Sequence, residues 1–278
     1  MHMRIGCSTI TFGPQGTEEA FDRIAELGFT VVDLAAVPGL FDHVRLVDPP
    51  PGELERVANS VRAHGFSVAG LQSVPGRLRT TDDPAELRRR YTLAADAAQA
   101  VGASAWVVDA GSPDPDGDAG RARGMDRFKA ATSLAAELAD QRGLRLGVEA
   151  PHHGTLAETL PEVLELLEQA DLPQLGVDLD TSHLLASGAS TGEILDAVGS
   201  RVCHVALRDA ERGGGFCTPG DGDFDFAEFF TLLAEADYDG DVTLELEPAR
   251  PDASADDRAR EALRARRHLA PLVGPAQG

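Results

Sequence analysis

The sequence of 278 residues has little cysteine and no long hydrophobic run. Cys7, Cys203 and Cys217 cannot all pair within one chain, and no two of them form a C-x-x-C spacing, so they suit a reducing compartment. No apolar run approaches the roughly 20 residues of a membrane span, and the first residues, "MHMRIGCSTITFG", lack the long apolar segment of a secretory signal. We therefore expect a cytoplasmic protein without a membrane partner.

Basic residues are also scarce. There are 25 lysines and arginines against 46 aspartates and glutamates, which gives a formal net charge of −21. Such a surface repels phosphate backbones and anionic lipids, so nucleic acid is not an expected partner. Net charge governs long-range steering alone, and a local basic pocket could still hold a small phosphate group.

A dinucleotide-binding G-x-G-x-x-G turn is missing after the first predicted strand, where "GCSTITFGPQG" has a different spacing. The sequence shows instead a regular alternation of short apolar runs and longer amphipathic segments. The strands are predicted at residues 4–8, 30–34, 67–71, 105–110, 145–149, 175–179, 202–207 and 242–246. The helices are predicted at residues 17–27, 53–64, 84–101, 123–142, 155–169, 192–198, 226–236 and 256–269.

Eight strands that alternate with eight helices fit a parallel sheet, and eight such strands close a barrel. An open doubly wound sheet is the competing architecture, and the missing glycine motif counts against it. The composition, 42% hydrophobic and 26% charged, is that of an ordinary globular protein, and no linker divides the chain. We predict an α/β fold, a (β/α)8 TIM barrel, as a single domain over residues 1–278.

Carboxylates follow several of the predicted strands, at the end where a TIM barrel gathers its active-site residues. The clearest positions are Glu149, Asp180 and Glu245, because each comes directly after an apolar run. An acid at a strand end can also be the solvated start of a loop. Several carboxylates that converge on one barrel mouth need a cation or bound protons, since a buried charge without a partner is costly.

Histidines and one arginine follow the same strands. His152 comes directly after the fifth strand in "GVEAPHHGTLAET", where it could contact a ligand or lie on the surface. In "GVDLDTSHLLASG" the D-x-x-H spacing puts Asp180 at the strand end and His183 just beyond it, although Thr181–Ser182 could simply cap a helix. Arg212, in a glycine-rich loop after the seventh strand, is a candidate for substrate oxygens because such loops often bind anionic groups.

Four segments together resemble the sugar phosphate isomerase/epimerase superfamily, the xylose isomerase-like TIM barrels. They are "LGVEAPHHGTLAETL", "LGVDLDTSHLLASG", "LRDAERGGGFCTPGDGDFDF" and "VTLELE". In that superfamily Glu, Asp, His and Glu from strands five to eight hold a divalent ion, so the resemblance implies Glu149, Asp180 and Glu245 as metal ligands. It also implies that His183 and Arg212 contact the substrate.

The ligand histidine of the superfamily is missing from strand seven. Where the superfamily reads H-x-H-L-K-D, this chain reads H-V-A-L-R-D, so Ala206 stands at the ligand position. His204 lies on the same strand face one layer deeper, as a working residue or as a core histidine bonded to a neighbouring strand. A methyl group cannot coordinate, so the three carboxylates hold the ion with water or a neighbouring histidine, or the ion is lost. An oxygen-only shell favours Mn or Mg over Zn.

The resemblance implies proton transfer at a carbon next to a carbonyl, through an enediolate. Glu149 and Glu245 would be the catalytic pair on opposite faces of the substrate, one removing a proton and the other returning one. We therefore hypothesise an isomerase or epimerase that acts on a sugar, a sugar phosphate or a cyclitol. The alternatives are a lyase or dehydratase that uses the same enolate on a keto sugar, and a non-catalytic barrel that binds a sugar or a partner subunit. Pairing into a homo-oligomer is compatible with the resemblance.

Overall fold

A computed structural model describes residues 3–76, 83–247 and 253–273 of the chain. Eight parallel strands form a closed barrel, in which β1 pairs with both β2 and β8. The strands are β1 (Ile5–Ser8), β2 (Val31–Val37), β3 (Ser67–Ser73), β4 (Ala105–Asp109), β5 (Leu146–Glu149), β6 (Gly176–Asp180), β7 (Val202–Leu207) and β8 (Val242–Leu244). The predicted α/β class and the (β/α)8 barrel are confirmed.

Helices connect successive strands and surround the barrel. Those in the described part of the chain are α1 (Thr17–Glu26), α2 (Glu53–His64), α3 (Pro84–Val101), α4 (Gly117–Arg142), α5 (Leu160–Ala170), α6 (Thr181–Ser187), α7 (Thr191–Val198), α8 (Phe226–Glu235) and α9 (Ala255–Leu269). Among the described residues, no helix combines the length and the apolar composition that crossing a membrane requires.

Local polar contacts explain the two helix starts that differ most from the prediction. α5 begins after residue 159 instead of at residue 155, because Thr159 and Glu162 form a capping box there. α4 extends upstream of the predicted residue 123, because Arg123 donates hydrogen bonds to Asp114 at 3.0 Å and to Asp116 at 2.5 Å. These bonds join a polar loop to the first turns of the helix.

Two short antiparallel pairings stand at the carboxyl end of the barrel. Phe41–Asp42 pairs with β2, and Phe216–Cys217 pairs with Asp209–Ala210 after β7. The Asp209 carboxylate accepts hydrogen bonds from three backbone N–H groups between residues 220 and 224, at 2.9, 3.0 and 3.1 Å. The long loop after β7 is therefore anchored beside the barrel mouth.

The register between β6 and β7 sets the depth of the polar side chains inside the barrel. Asp178 pairs with His204, and Asp180, two residues farther along β6, pairs with Ala206. All four side chains are buried. Because residues two apart on a strand share a face, they form successive layers toward the carboxyl end. In the deeper layer both strands contribute a polar side chain, Asp178 and His204. In the upper layer Asp180 lies beside the methyl group of Ala206.

Candidate active site

Three acids predicted from the sequence meet at the carboxyl end of the barrel. Glu149 ends β5, Asp180 ends β6, and Glu245 directly follows β8. Asp180 and Glu245 are buried and Glu149 is half-buried. All three act electrostatically on the same guanidinium, that of Arg208. The barrel therefore brings together side chains that lie far apart in the chain.

A small pocket opens beside Glu149, Glu245 and Arg208. Its volume is about 110 Å³, against roughly 300–1,000 Å³ for sites that hold drug-sized ligands. The charged and polar lining includes Gln72, Asp109, Glu149, His152, Arg208, Glu245 and Glu247. Leu40 and Phe41 supply part of the apolar lining, from the loop after β2. This size and lining suit one small polar molecule.

Arg208 follows β7 and is the buried cation of this site, with only 3% of its side chain exposed. Its Nη2 donates to Asp180 Oδ2 at 2.5 Å, and its Nε donates to Ser182 Oγ at 3.0 Å. Its Nη1 donates to Glu247 Oε1 at 3.2 Å and lies 3.9 Å from Glu245 Oε1. Contacts on three nitrogen atoms fix the orientation of the guanidinium.

The two glutamates of the pocket have different surroundings. Glu245 Oε2 accepts a hydrogen bond from Gln72 Nε2 at 2.8 Å, whereas Glu149 Oε1 faces His152 Nε2 at 3.8 Å. Burial raises the pKa of both carboxyls well above the usual range, and neighbouring acids raise it further, while Arg208 opposes the shift. Each carboxyl therefore holds a proton more readily than an exposed glutamate does.

Asp180 behaves in the opposite way. Its Oδ1 accepts hydrogen bonds from the backbone N–H of Ser182 at 2.8 Å and from the Ser182 hydroxyl at 2.6 Å. Burial acts to raise the pKa of Asp180, but Arg208 and the bonds from Ser182 outweigh burial and lower it below its usual value. Asp180 is thus an anion that is held by donors on both oxygens.

Two imidazoles lie in contact beside the acids, with the ring centroids of His152 and His183 4.0 Å apart and the ring planes at 35° to each other. Burial lowers the pKa of His183 to about 3, so this ring is neutral. Its Nε2 lies 3.2 Å from Nη2 of Arg208, which can only donate, so Nε2 accepts. His152 Nδ1 lies 2.7 Å from the carbonyl oxygen of His153 and donates to it, and its Nε2 faces Glu149.

His204 lies below this layer, between two buried aspartates. Its Nδ1 is 2.8 Å from Asp178 Oδ1, and its Nε2 is 3.5 Å from Asp33 Oδ1. Burial acts to lower the pKa of His204, but the two carboxylates outweigh burial and raise it well above the usual range. His204 is absent from the described lining of the pocket, so it acts as a buried cation beneath the site.

Arg212 is not brought to the pocket. It is exposed on the loop after β7, its backbone N–H donates to Asp223 Oδ2 at 2.8 Å, and it does not occur among the described lining residues. The arginine that reaches the pocket is Arg208, which the sequence reasoning missed. Its signal was available, because the same-face spacing that links His204 to Ala206 extends by two more residues to Arg208.

The metal ligands implied by the resemblance do not fit an ion in this chain. Ala206 has no donor atom, and Asp180 is already bonded to a guanidinium. A different group can serve, since Glu149, His152 and His183 each offer one ligand atom and these atoms lie within 4.8 Å of one another. One carboxylate oxygen and two imidazole nitrogens are donors that bind divalent ions.

Comparison with known proteins finds similar sequences and a similar fold. A 3-dehydroshikimate dehydratase of Pseudomonas putida is 36% identical over 122 residues, which are 41% of this chain and 19% of that protein. Inosose dehydratase 2 of Bacillus cereus is 32% identical over 156 residues, which are 50% of this chain and 51% of that protein. The solved structure of the IOLI protein with a bound zinc atom has a TM-score of 0.75 at 15% identity, and covers 97% of this chain and 99% of that one.

The curated relatives match over about half of their length or less, and the similarity to the solved structure is one of fold. The family model of the xylose isomerase-like TIM barrel matches residues 21–269. This range includes every strand from β2 to β8 and every pocket residue named above. The chain therefore belongs to the xylose isomerase-like TIM barrel family.

Proposed function

We propose that the chain is a lyase that removes water from a keto cyclitol, or from a related uncharged hydroxy ketone, through an enolate. The observation that carries the proposal is that Glu149 and Glu245 share one pocket with the buried guanidinium of Arg208. Such chemistry needs a base for the proton next to the carbonyl, an acid for the leaving oxygen and positive charge for the oxyanion. The names of the two similar sequences, both dehydratases, favour elimination over isomerisation.

The two glutamates take different steps in this reaction. Glu245, beside Gln72 and Arg208, is the carboxylate that removes the proton from the carbon next to the carbonyl. The electron pair of that C–H bond forms the enolate, and the bond from the next carbon to its hydroxyl oxygen then breaks. Glu149 in its acid form donates a proton to that oxygen, which leaves as water. The product is an unsaturated ketone, and a proton must pass from Glu245 to Glu149 through solvent before the next turnover.

The charge of the pocket selects for uncharged substrates. Asp109, Glu149, Glu245 and Glu247 line it together with Arg208. One guanidinium that already pairs with an aspartate does not offset these acids, so a phosphate group would meet a negative potential. We therefore expect cyclitols and free keto sugars to be better substrates than sugar phosphates.

An isomerase or epimerase is the second candidate. It is favoured by the positions of the two glutamates, because Glu149 ends β5 and Glu245 follows β8, on different sides of the barrel. On opposite faces of a substrate, one would remove a proton and the other would return one to the other face. The fate of the hydroxyl group separates the two functions, since only the lyase releases water.

A divalent ion bound in the pocket would polarise the substrate carbonyl. Glu149, His152 and His183 lie close enough together to hold it, which would require Glu149 to be ionised and His183 to release its hydrogen bond from Arg208. Two imidazole nitrogens suit zinc better than magnesium or manganese, which prefer oxygen ligands. The expected metal preference is therefore the reverse of that for an oxygen-only shell of three carboxylates, which favours Mn or Mg over Zn.

A substrate panel tests the proposal. We would incubate the protein with an inosose, 3-dehydroshikimate, a free ketose and a ketose phosphate, and follow ultraviolet absorbance of a conjugated product together with proton loss by NMR in deuterated water. We expect an absorbing product from the inosose. Glu149→Gln and Glu245→Gln should each lower kcat by about 100-fold or more, whereas Glu168→Gln, an exposed change on α5, should leave it unchanged.

Two outcomes count against the lyase. Deuterium incorporation and a new stereoisomer without an absorbing product would assign an epimerase. Turnover that both glutamine variants retain in full would remove Glu149 and Glu245 from the chemistry.

A further inference from the structure

We propose that Arg208 takes the place that a divalent ion has in related barrels, so that Asp180 and Glu245 serve a guanidinium and not a metal. In the proposed lyase, Arg208 is then the catalytic residue that binds the oxyanion of the enolate. This catalytic part rests on the proposed function, whereas the statement about Asp180 and Glu245 does not.

The first support is the pairing of two changes on one strand. Ala206, opposite Asp180 in the register of β6 and β7, removes the nitrogen donor from this layer. Two residues later, Arg208 stands where the superfamily has lysine, and its Nη2 lies 2.5 Å from Asp180 Oδ2. The missing ligand and the guanidinium that binds the same carboxylate therefore meet at one point of the barrel.

The second support is that both oxygens of Asp180 already accept hydrogen bonds. Oδ2 is bonded to Arg208, and Oδ1 accepts both donors of Ser182. An ion at this carboxylate would have to displace the guanidinium or lie within a few ångströms of it. Two positive charges at such a distance in a buried site repel each other strongly.

The third support is the way in which Arg208 is held. The Thr181 hydroxyl lies 2.9 Å from the backbone nitrogen of Arg208 and 2.6 Å from its carbonyl oxygen. The guanidinium carbon stands 4.1 Å from the ring centroid of Phe216, and Nη2 is 3.2 Å from His183 Nε2. A cation that is fixed from several sides is preorganised for charge that develops in a transition state.

One edge of the guanidinium remains available to a substrate. Nη1 lies on the pocket side, 3.2 Å from Glu247 and 3.9 Å from Glu245. The Glu247 side chain is 45% exposed, so water can replace it as an acceptor at little cost. A carbonyl oxygen that takes this position receives a charged hydrogen bond, while the adjacent Glu245 reaches the proton to be removed.

Metal binding measured without substrate tests the inference about the ligands. Wild-type protein, the single variant Ala206→His and the double variant Ala206→His/Arg208→Gln would be titrated with MnCl2 by calorimetry and by thermal unfolding. We expect no binding tighter than about 1 mM through Asp180 in the wild type, and binding that is at least ~100-fold tighter in the double variant, because it regains the nitrogen donor and loses the competing cation. If the double variant does not fold, the Mn²⁺ affinities of the wild type and of Ala206→His test the inference.

The ligand assignment fails if the wild type binds one Mn²⁺ per chain tightly and Asp180→Asn abolishes this binding. Binding that is lost in His152→Ala and kept in Asp180→Asn supports the inference, because it puts the ion on the separate group of Glu149, His152 and His183.

For the catalytic part, Arg208→Lys should lower kcat by about 100-fold in a chelator-treated enzyme, with KM changed far less. An unchanged kcat would remove Arg208 from the oxyanion role and leave both the ligand assignment and the lyase standing.

Discussion

Gly70 of β3 faces the buried ion pair beneath the pocket, where there is no room for a side chain. A Cβ atom at this position would lie 2.7 Å from Asp33 Oδ1 and 2.8 Å from His204 Nε2. We expect Gly70→Ala to lower the free energy of unfolding by about 1–3 kcal/mol, because it overpacks a rigid core. Urea denaturation measures the change. Gly192→Ala is the control, since its Cβ would meet nothing within 4 Å and alanine favours the helix α7, so that variant should be neutral or slightly more stable.

His204 provides a second prediction at the scale of single residues. Its ring is the positive partner of Asp33 and Asp178, and all three side chains are almost fully buried. We expect His204→Leu to cost about 3–5 kcal/mol of unfolding free energy, because it leaves two buried carboxylates without a cation. His153→Leu is the matched control, since this side chain is 78% exposed and should change stability little.

A double variant checks the electrostatic cause of that cost. Asp33→Asn removes one of the two buried charges, so it should restore part of the stability when it is added to His204→Leu. Equal losses in the single and the double variant would show that packing, and not charge, accounts for the cost. Urea denaturation of both variants at pH 7 makes the comparison.

Single residues also show how far the sequence could predict the site. Glu149, Asp180 and Glu245 could be predicted, because each ends an apolar strand and a barrel gathers such ends. Arg208 could not be separated from Arg212 by composition, since both lie in one charged segment after β7. The two arginines differ in their distance from the strand. Arg208 comes directly after β7 and still points into the barrel, whereas Arg212 lies four residues farther on and is exposed.

At the scale of elements, apolar runs predicted the eight strands better than periodicity predicted the helices. α6, at Thr181–Ser187, is not among the helices predicted from the sequence, because seven residues carry too little amphipathic pattern. Asp180 caps this helix through the N–H of Ser182 and at the same time receives Arg208. The alternative in which Thr181 or Ser182 caps the helix is wrong, because Asp180 is the cap residue, and this one aspartate also binds Arg208.

The contact between α1 and α2 gives a prediction at this scale. His64 Nε2 lies 3.0 Å from Asp22 Oδ1, and its Nδ1 lies 2.8 Å from the carbonyl oxygen of Ser60. The hydrogen bond to Asp22 and the bond to Ser60 raise the pKa of His64 above its usual value. A raised pKa in the folded state means that the protonated ring stabilises the protein fully below about pH 6.5 and that this stabilisation is lost as pH rises through the folded pKa.

Asp22→Asn tests this coupling between the helices. We expect the variant to lower the pKa of His64 in an NMR titration and to lower the unfolding free energy by about 0.2–1 kcal/mol near pH 6, because Asp22 is exposed. Near pH 8 wild type and variant should unfold alike. A stability difference that grows with pH would have the wrong sign for this ion pair.

At the scale of the whole molecule, acidic residues outnumber basic ones. Within the barrel, Arg208 and His204 offset buried acids, and each cation is held between two of them. Over the chain, 46 acids face 25 lysines and arginines, so one-to-one pairing would still leave a formal excess of −21. Exposed pairs such as Arg88 with Glu137 contribute little each, and this excess therefore dominates the surface field.

Salt should therefore stabilise this protein. Added salt screens the repulsion among the excess carboxylates and also weakens the exposed ion pairs, but the acids outnumber the pairs that can form. We expect the unfolding temperature to rise by several degrees between 10 and 150 mM KCl in a chelator-containing buffer, in which bound divalent ions do not contribute. The variant Glu168→Lys/Glu235→Lys moves two exposed positions toward balance, so it should show a smaller rise. An unfolding temperature that falls with salt would mean that the surface ion pairs outweigh the repulsion.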